Sequence, residues 1–332
     1  MKSAQFPALL ERFFTDRLMR QRQASPHTIA SYRDTFRLLL QFAKRRLRKP
    51  PSHLSLEEID TPLITAFLDD LEASRHISAR TRNHRLTAIR SFFHYASYEE
   101  PAHSLQIQRV LAIPEKRFSK TLVKFLDRAE VDALLAAPDR QDWHGRRDYA
   151  LLLLALQTGL RLSELTAVRP RDLHFGIGAH VRCLGKGRKE RCTPLTKQTV
   201  TVLKTWMQES APRADDWLFS TTRGGRLSSD AVQDLLDKHR SAAARACPSL
   251  EKKRVTPHVL RHTLAMELLQ AGVDRSVIAL WLGHESVETT QIYLDANLAL
   301  KEQILANLGT RDSQTYRRFK AEDSLLTFLK GL

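Results

Sequence analysis

Two segments of the chain place a basic side chain where it suits phosphate chemistry. Arg161 comes just after the helix-breaking pair Thr158-Gly159, so it lies near the start of a new helix, where free N–H groups favour an anion. Glu164 lies three residues later and can pair with the Arg161 guanidinium and hold it still. Lys186 has a glycine on each side, which lets the backbone approach another molecule closely. Taken singly, these residues would be a surface salt bridge and a solvated turn.

Two further segments carry groups that suit proton transfer or attack at phosphorus. His258 and Arg261 follow Pro257, which predicts that both project from the first turn of one helix. A histidine beside an arginine suits a proton carrier next to a phosphate clamp. His284 follows a helix stop, and the phenol of Tyr293 lies nine residues later. Taken singly, the histidine would be a capping residue and the tyrosine a core residue.

The histidines match no common metal site. The spacing of His258, His262 and His284 fits no usual zinc pattern, and the motif His-Glu-x-x-His is absent. His262 is predicted to point away from His258 and to pack, although its position four residues later leaves a two-histidine site open. The phosphate-binding motif Gly-x-x-x-x-Gly-Lys-Ser/Thr is also absent. We predict no metal ion and no cofactor.

Periodic apolar residues predict mostly helices around these side chains. Ser25-Pro26 is a typical helix start, and that helix ends in the basic run 44–49 before Pro50-Pro51. Residues 180–194 alternate about a glycine-containing turn and predict a β-hairpin with a basic tip. The apolar run at 146–157 predicts a buried central helix. The other predicted helices cover about residues 64–72, 79–98, 127–137, 229–246, 257–271, 273–282 and 287–308, and one more starts near Ser163.

A polar, extended stretch divides the chain into two parts. We predict a helical domain over residues 1–112, a linker over 113–124, a second domain over 125–308 and a tail over 309–332. The formal net charge is +16, of which residues 1–120 contribute +9 and the rest +7. Two basic parts suit a protein that contacts a duplex from two sides. The predicted DNA contacts are Arg80, Arg82, Arg85, Lys44, Arg45 and Arg188, for each of which a solvated helix face is the ordinary alternative.

Composition excludes several classes of protein. With 332 residues and 42% hydrophobic side chains, the chain can bury real cores, and three cysteines cannot form a disulfide scaffold. The first ten residues predict no secretory signal, and the longest apolar run is far shorter than a membrane span. We therefore predict a soluble protein of a reducing compartment that binds nucleic acid and no membrane.

Taken together, these residues resemble the signature of the tyrosine recombinase (phage integrase) family, and in particular its Xer-like members. The surrounding words resemble it too: Thr-Gly-Leu-Arg-Leu-Ser-Glu-Leu, Gly-Lys-Gly-Arg-Lys-Glu-Arg, His-Val-Leu-Arg-His-Thr and Leu-Gly-His. The resemblance implies a mainly α fold. Its N-terminal part would be a core-binding bundle of the SAM-like kind, followed by a mixed, mostly α catalytic domain with a small β-hairpin or sheet.

The resemblance also implies a site-specific cut-and-rejoin reaction on duplex DNA. Tyr293 would attack the scissile phosphate, forming a 3′-phosphotyrosine and releasing a 5′-hydroxyl. Arg161 and Arg261 would bind the non-bridging oxygens and stabilise the transition state. Lys186 would protonate the leaving oxygen, and His258 would act as general base toward the phenol. His284 would hydrogen-bond the phosphate, with Glu164 in support.

The family pattern implies a homotetramer on double-stranded DNA carrying specific recombination sites, with other recombinase subunits as further partners. A cytoplasmic, nucleoid-associated protein of a prokaryotic host is expected. The 39 residues after Tyr293 suggest a subunit-docking or autoregulatory tail, although packing on its own subunit is the ordinary alternative. The pattern leaves four roles open: phage integrase, transposon recombinase, integron-type enzyme and chromosome-dimer resolvase. The tail and the basic N-terminal part favour an enzyme of a phage, transposon or plasmid.

Two other functions stay open at this point. A non-catalytic, sequence-specific DNA-binding protein would explain the charge but neither Tyr293 nor the paired arginines. An enzyme like a type IB topoisomerase would use related chemistry, but its large clamp domains have no room in 332 residues.

Overall fold

The computed structural model describes residues 6–119, 123–185 and 190–283. The chain divides into two compact units, Met1–Lys120 and Thr121–Leu332. Helices dominate the described part of both, and the second also holds a small antiparallel sheet. The predicted fold class, mainly α with a small sheet, is confirmed.

The first unit is a bundle of capped helices. Its members are α1 (Phe6–Arg12), which continues as a π-helical stretch (Phe13–Gln21), α2 (Pro26–Leu47), α3 (Thr61–Arg75), α4 (Ala79–Glu99) and α5 (Ser104–Leu111). Two short 3₁₀ helices, Pro51–His53 and Pro101–His103, begin at prolines. The side chains of Ser25, Asp60 and Ser78 accept a hydrogen bond from the backbone N–H three residues later, which fixes the starts of α2, α3 and α4. The predicted start at Ser25-Pro26 is confirmed.

Buried phenylalanine rings hold α1, α2 and α4 together. The ring of Phe92 contacts Phe13 and Phe36 at centroid distances of 5.5 Å in both cases, in edge-to-face geometry, and Phe6 at 5.6 Å. All four rings are at most 2% exposed. The core therefore fixes which faces of α2 and α4 remain available to solvent.

Arg82 does not lie on a solvated face of α4. It comes one helical turn before Leu86 and so extends the apolar stripe of the helix, where it is 4% exposed and its Nε lies 3.5 Å from Glu72 Oε2. This burial and the pairing with Glu72 do not favour the predicted direct contact of Arg82 with DNA, which stays a prediction. Arg85 is half-buried and donates to Thr35 Oγ1 on α2 at 3.0 Å.

The first half of the expected linker is bound to α4. The side chain of Asn83 donates to the carbonyl of Lys116 at 2.8 Å and accepts from its N–H at 3.0 Å. Arg90 pairs with Glu115 at 3.1 Å, and the Arg80 guanidinium lies over the ring of Phe118. The segment is extended, as expected, but it packs against the first unit.

The second unit contains seven described helices and three strands. They are α6 (Arg128–Ala136), α7 (Trp143–Thr158), α8 (Leu162–Leu165), β1 (Leu173–His174), β2 (His180–Leu184), β3 (Glu190–Pro194), α9 (Lys197–Ser210), α10 (Ser229–Ala243), α11 (Pro257–Gln270) and α12 (Arg275–Leu282). Short 3₁₀ helices cover Pro170–Asp172 and Pro248–Lys252. The sheet order is β1-β2-β3, with both pairs antiparallel.

Helix α7 is the centre of the second unit, as its apolar run predicts. It packs against α6, α9 and α11, and Leu151, Leu152 and Leu154 are fully buried. Near its start, the buried Asp148 carboxylate accepts from Arg147 and lies 2.8 Å from His239 Nε2 on α10. Burial would raise the pKa of Asp148, but the histidine and arginine partners outweigh it and lower the pKa below its ordinary value. The contact between Asp148 and His239 joins α7 to α10.

The remaining predicted elements are mostly confirmed. The predicted hairpin is present as β2 and β3, which pair from His180↔Pro194 to Leu184↔Glu190. The predicted helices agree with α3, α4, α6, α7 and α10–α12 to within a few residues at most ends. Sequence reasoning missed α1 and its π-helical continuation, α5, α9 and β1. The predicted helix at 287–308 and the tail lie outside the described residues. Among the helices that the structure describes, none combines the length and apolarity that a membrane crossing requires.

Candidate active site

The loop between α7 and α8 positions Arg161. Helix α7 ends at Gly159, whose φ of +61° reverses the chain. Arg161 then caps α8: its backbone N–H donates to Glu164 Oε2 at 2.7 Å and its Nη1 donates to Glu164 Oε1 at 2.9 Å. The pairing that the spacing predicts is confirmed. The Glu164 side chain is 4% exposed and that of Arg161 27%, so this ion pair is largely shielded from water.

Sequence reasoning missed a second arginine on the same carboxylate. Arg191 on β3 donates from Nη1 to Glu164 Oε1 at 3.0 Å and from Nη2 to Oε2 at 2.7 Å. Burial alone would raise the pKa of Glu164, but the hydrogen bonds from Arg191 and Arg161 outweigh it and lower the pKa. Arg191 is the last residue of the motif Gly-Lys-Gly-Arg-Lys-Glu-Arg, which begins at Gly185. No local rule connects it with Glu164, which lies 27 residues earlier.

Arg261 is the fifth residue of α11, just past its first turn, and is 4% exposed. It donates from Nη1 to the carbonyl of Gly159 at 2.5 Å and from Nη2 to the carbonyl of Leu282 at 2.6 Å. Arg161 donates from Nη2 to the next carbonyl, that of Gly283, at 2.7 Å. Consecutive carbonyls at the end of α12 thus bring the two predicted guanidiniums together.

An added Cβ would be too close to a neighbouring side chain at two glycines of the site, a leucine at Gly159 and Arg191 at Gly283. A Cβ on Gly159 would come within 2.6 Å of Leu282 Cδ2 and 3.7 Å of Arg261 Cγ, and a Cβ on Gly283 within 2.8 Å of Arg191 Nη1. Both glycines also have positive φ, a conformation that L side chains rarely adopt. The glycine in each of the motifs Thr-Gly-Leu-Arg and Leu-Gly-His is therefore needed for packing as well as for ending a helix.

His258 is the exposed residue of the first turn of α11 and lies close enough to the two guanidiniums to sense their charge. Partial loss of hydration, the charge of Arg261 and, to a smaller extent, that of Arg161 lower its pKa below the ordinary histidine value. The imidazole is therefore mostly neutral at physiological pH, the form that accepts a proton.

The expectation that His262 points away from His258 is wrong. The two ring centroids are 5.4 Å apart, because residues four apart on a helix are offset by only about 40°. Burial and, secondarily, the neighbouring His258 and Arg261 lower the pKa of His262 to about 4. Within the described residues, no group of three or more histidine, cysteine, aspartate or glutamate side chains is placed to hold a metal ion.

Three of the six predicted catalytic residues, Lys186, His284 and Tyr293, lie outside the described residues, as does the predicted DNA contact Arg188. The structure brings together Arg161, His258, Arg261 and the supporting Glu164. Of the other predicted DNA contacts, Lys44, Arg45 and Arg80 are exposed, and Arg45 lies 3.4 Å from Asp70.

A groove that sequence reasoning did not find includes Glu164 in its lining, together with four arginines and two further acidic residues. Its wall includes Trp217, with Arg169 and Arg226 over the indole ring at 4.5 Å and 5.4 Å from the centroid. Arg226 is held by Ser163 O at 2.6 Å and by the Thr166 hydroxyl. The signal in the sequence is a set of scattered arginines that only the fold collects.

The chain matches two family models and many curated relatives. Residues 124–299 match "Phage integrase family" and residues 10–100 match "Phage integrase, N-terminal SAM-like domain". It is 64% identical over 331 residues to "Putative integrase/recombinase y4rC" of Sinorhizobium fredii, covering 100% of this chain and 99% of the relative. It is 32% identical over 289 residues to "Tyrosine recombinase XerC" of Pelobacter propionicus, covering 86% and 90%.

Solved structures show the same fold. The XerH site-specific recombinase in a post-cleavage complex with palindromic difH substrate aligns with a TM-score of 0.68 and 22% identity, covering 86% of this chain and 81% of that one. A lambda integrase tetramer bound to a Holliday junction aligns with a TM-score of 0.64 and 18% identity, covering 95% and 81%.

Proposed function

The chain belongs to the phage integrase family, and on this premise we propose that it cuts and rejoins duplex DNA at specific sites through a covalent bond to Tyr293. It is a tyrosine site-specific recombinase. The observation that carries the proposal is the convergence of Arg161 and Arg261 on consecutive carbonyls beside the lowered-pKa His258. Such preorganised guanidiniums suit the negative charge that develops on a phosphate under attack.

In the proposed reaction, the phenolic oxygen of Tyr293 forms a bond to the scissile phosphorus while the bond to the 5′-oxygen breaks. The phenol proton passes to His258, and Lys186 gives a proton to the departing 5′-oxygen. Arg161 and Arg261 bind the non-bridging oxygens. His284 completes the hydrogen bonds to the phosphate. The phosphotyrosine keeps the energy of the broken bond, so the reverse attack by a 5′-hydroxyl rejoins a strand.

The geometry of Glu164 supports this division of roles. One carboxylate serves two arginines, and Arg261 is held by carbonyls, so the described cluster keeps a net positive charge. A positive cluster next to a mostly neutral imidazole suits an anionic substrate and a base.

We further propose that double-stranded DNA with specific sites is the partner and that a homotetramer assembles on it. The formal net charge of +16 and the exposed Lys44, Arg45 and Arg80 support backbone contacts, so binding should fall steeply with salt. The N-terminal unit would be the core-binding domain and the second unit the catalytic domain, with the tail as a subunit-docking element. Other recombinase subunits would be further partners.

We also propose a cytoplasmic, nucleoid-associated role in the movement of a phage, transposon or plasmid. The 64% identity to a relative named as a putative integrase/recombinase supports it. The DNA flanking the gene tests it, since terminal repeats or neighbouring recombinase genes would mark a mobile element and their absence would argue against one.

The decisive experiment is covalent trapping. A site is selected from genomic fragments by binding to the purified protein, and a nicked duplex carrying it is used as a suicide substrate. We expect the wild-type protein to form a covalent adduct that Tyr293→Phe does not form, with or without EDTA. An adduct with Tyr293→Phe would refute the nucleophile assignment, and specific binding without any cleavage would favour the non-catalytic DNA-binding protein.

A further inference from the structure

We propose that Arg191 is a positioning residue for Arg161, acting through the Glu164 carboxylate that the two guanidiniums share. This inference rests on the proposed function, since it assigns to Arg161 the scissile phosphate. Arg191 supplies two of the four hydrogen bonds to Glu164 and offsets the charge of this carboxylate. The positive charge of Arg161 then stays available to the substrate.

The register of the sheet turns Arg191 inward. It lies opposite Cys183, and residues directly opposite each other in an antiparallel pair share a face. Cys183 is 7% exposed, and the side chain of Arg191 is 12% exposed. Arg182 lies opposite the exposed Cys192 on the other face, and its side chain is 51% exposed. The hairpin thus carries one inward arginine and a matched outward one.

The Glu164 carboxylate is divided evenly between its two partners. Each oxygen accepts one bond from Arg191, at 3.0 and 2.7 Å, and one from Arg161, at 2.9 Å from Nη1 and 2.7 Å from the backbone N–H. Arg161 therefore spends a single guanidinium nitrogen on the carboxylate and places the other on the Gly283 carbonyl. Arg191 instead makes the bidentate interaction with Glu164, which is the strongest arrangement for an arginine–carboxylate pair.

Loss of Arg191 changes this balance in a defined way. The buried carboxylate would keep two of the four hydrogen bonds that the described residues give it, and Arg161 would be the cation left to compensate its charge. We expect Glu164 to turn to a two-pronged bond with Arg161, because a buried charge with incomplete hydrogen bonding is costly. That bond would withdraw Arg161 from the phosphate and offset its charge.

The contact with Gly283 supports a fixed place for Arg191. Its Nη1, Cδ and Cζ atoms lie 2.8, 3.1 and 3.2 Å from the position that a Cβ on Gly283 would occupy. The carbonyl of the same glycine accepts from Arg161. Arg191 therefore borders Arg161 on two sides, at the carboxylate and at the end of α12.

The test compares two scissile groups in one suicide duplex, an ordinary phosphodiester and a methylphosphonate that lacks the negative charge. The variant is Arg191→Met, and Arg182→Met is its control from the outward face of the same hairpin. We expect Arg191→Met to slow cleavage of the phosphodiester about 10-fold or more. This effect is smaller than the ~10²–10³-fold loss of rate that follows removal of a group that itself donates to the transition state. We expect cleavage of the methylphosphonate to slow less than 3-fold, and Arg182→Met to change neither rate by that much.

Equal slowing of both substrates by Arg191→Met would overturn the proposal, since a merely structural residue affects both alike. Arg191→Lys, which keeps a charge near Glu164, should recover part of the phosphodiester rate; it also serves as the test variant if the methionine variant does not fold. Arg161→Ala separates the two levels of inference. If it slows both substrates equally, the proposed role of Arg161 is wrong and this inference with it. If only Arg161→Ala shows the charge-dependent effect, the Arg191 assignment alone is wrong.

Discussion

Replacing Glu164 with glutamine should destabilise the second unit strongly at neutral pH. The substitution keeps the shape of the side chain but removes its charge. An amide has one acceptor oxygen, so at least two of the four hydrogen bonds from Arg161 and Arg191 lose their acceptor and face an NH₂ group. The Glu164 side chain is 4% exposed, so water cannot replace them.

The expected loss is about 3–5 kcal/mol in the free energy of unfolding, the usual cost of removing one partner of a buried ion pair. Two charge-assisted hydrogen bonds at roughly 1.5–3 kcal/mol each give a similar figure. The difference should also depend on pH. Because the pKa of Glu164 is lowered from its ordinary 4.5, its contribution is fully present above that value and is lost as pH falls through the lowered pKa. The gap between wild type and variant should therefore narrow below about pH 4.5.

Tryptophan fluorescence during urea unfolding measures this effect in the correct unit, since all four tryptophans lie after residue 140. Glu209→Gln is a matched control. Glu209 also holds an arginine by two bonds, Arg146 Nε at 2.7 Å and Nη2 at 2.6 Å, but on the surface, where such pairs contribute little. A loss below about 1 kcal/mol for Glu164→Gln at pH 7, or equal losses in the two variants, would refute the reasoning from burial.

Three further variants test other parts of the site. Gly283→Ala should lower the melting temperature and the cleavage rate, because its Cβ meets Arg191 at 2.8 Å and its φ is +66°; wild-type melting and cleavage would contradict the close contact. His262→Gln should make the stability of the second unit less sensitive to acid between pH 6.5 and 4. Because folding lowers the pKa of His262 to about 4, its contribution to stability is fully present above the ordinary pKa of 6.5 and is lost as the pH falls toward 4. Urea unfolding at both pH values measures this, and an unchanged pH dependence would count against the buried ring. Asp148→Asn should cost about 3–5 kcal/mol in fluorescence-detected unfolding, because the 8% exposed Arg147 loses its countercharge; a change under 1 kcal/mol would show that the pair is not effectively buried.

Local rules account for most of the elements. Serine and aspartate side chains at helix starts satisfy N–H groups within three residues, and the breaks at Pro50-Pro51 and Gly159 need no distant partner. The alternation over β2 and β3 likewise depends on neighbours in one hairpin. Among the missed elements, β1 has a weak local signal, because it is two residues long and its partner strand defines it. The missed α9 does carry a local signal, since the Thr196 side chain caps its start.

Side-chain environments within correctly predicted helices were harder to predict. Arg82 occupies a stripe position on α4 that α3 covers, and nothing within α4 indicates that Glu72 lies against it. His262 is a different case, because helix geometry alone places residues four apart side by side, and its ring lies beside that of His258.

The sequence by itself determined the mainly helical fold, the hairpin, the strong positive charge and the residue pattern of a tyrosine recombinase, because caps, periodicity and short motifs act over a few residues. Tertiary structure alone decided that Arg191 shares the Glu164 carboxylate with Arg161, and that the end of α12 supplies consecutive carbonyls to Arg161 and Arg261. These bonds join residues 21 to 122 positions apart. Their formation depends on which faces the packed core turns toward one another, and no local preference of the chain specifies that.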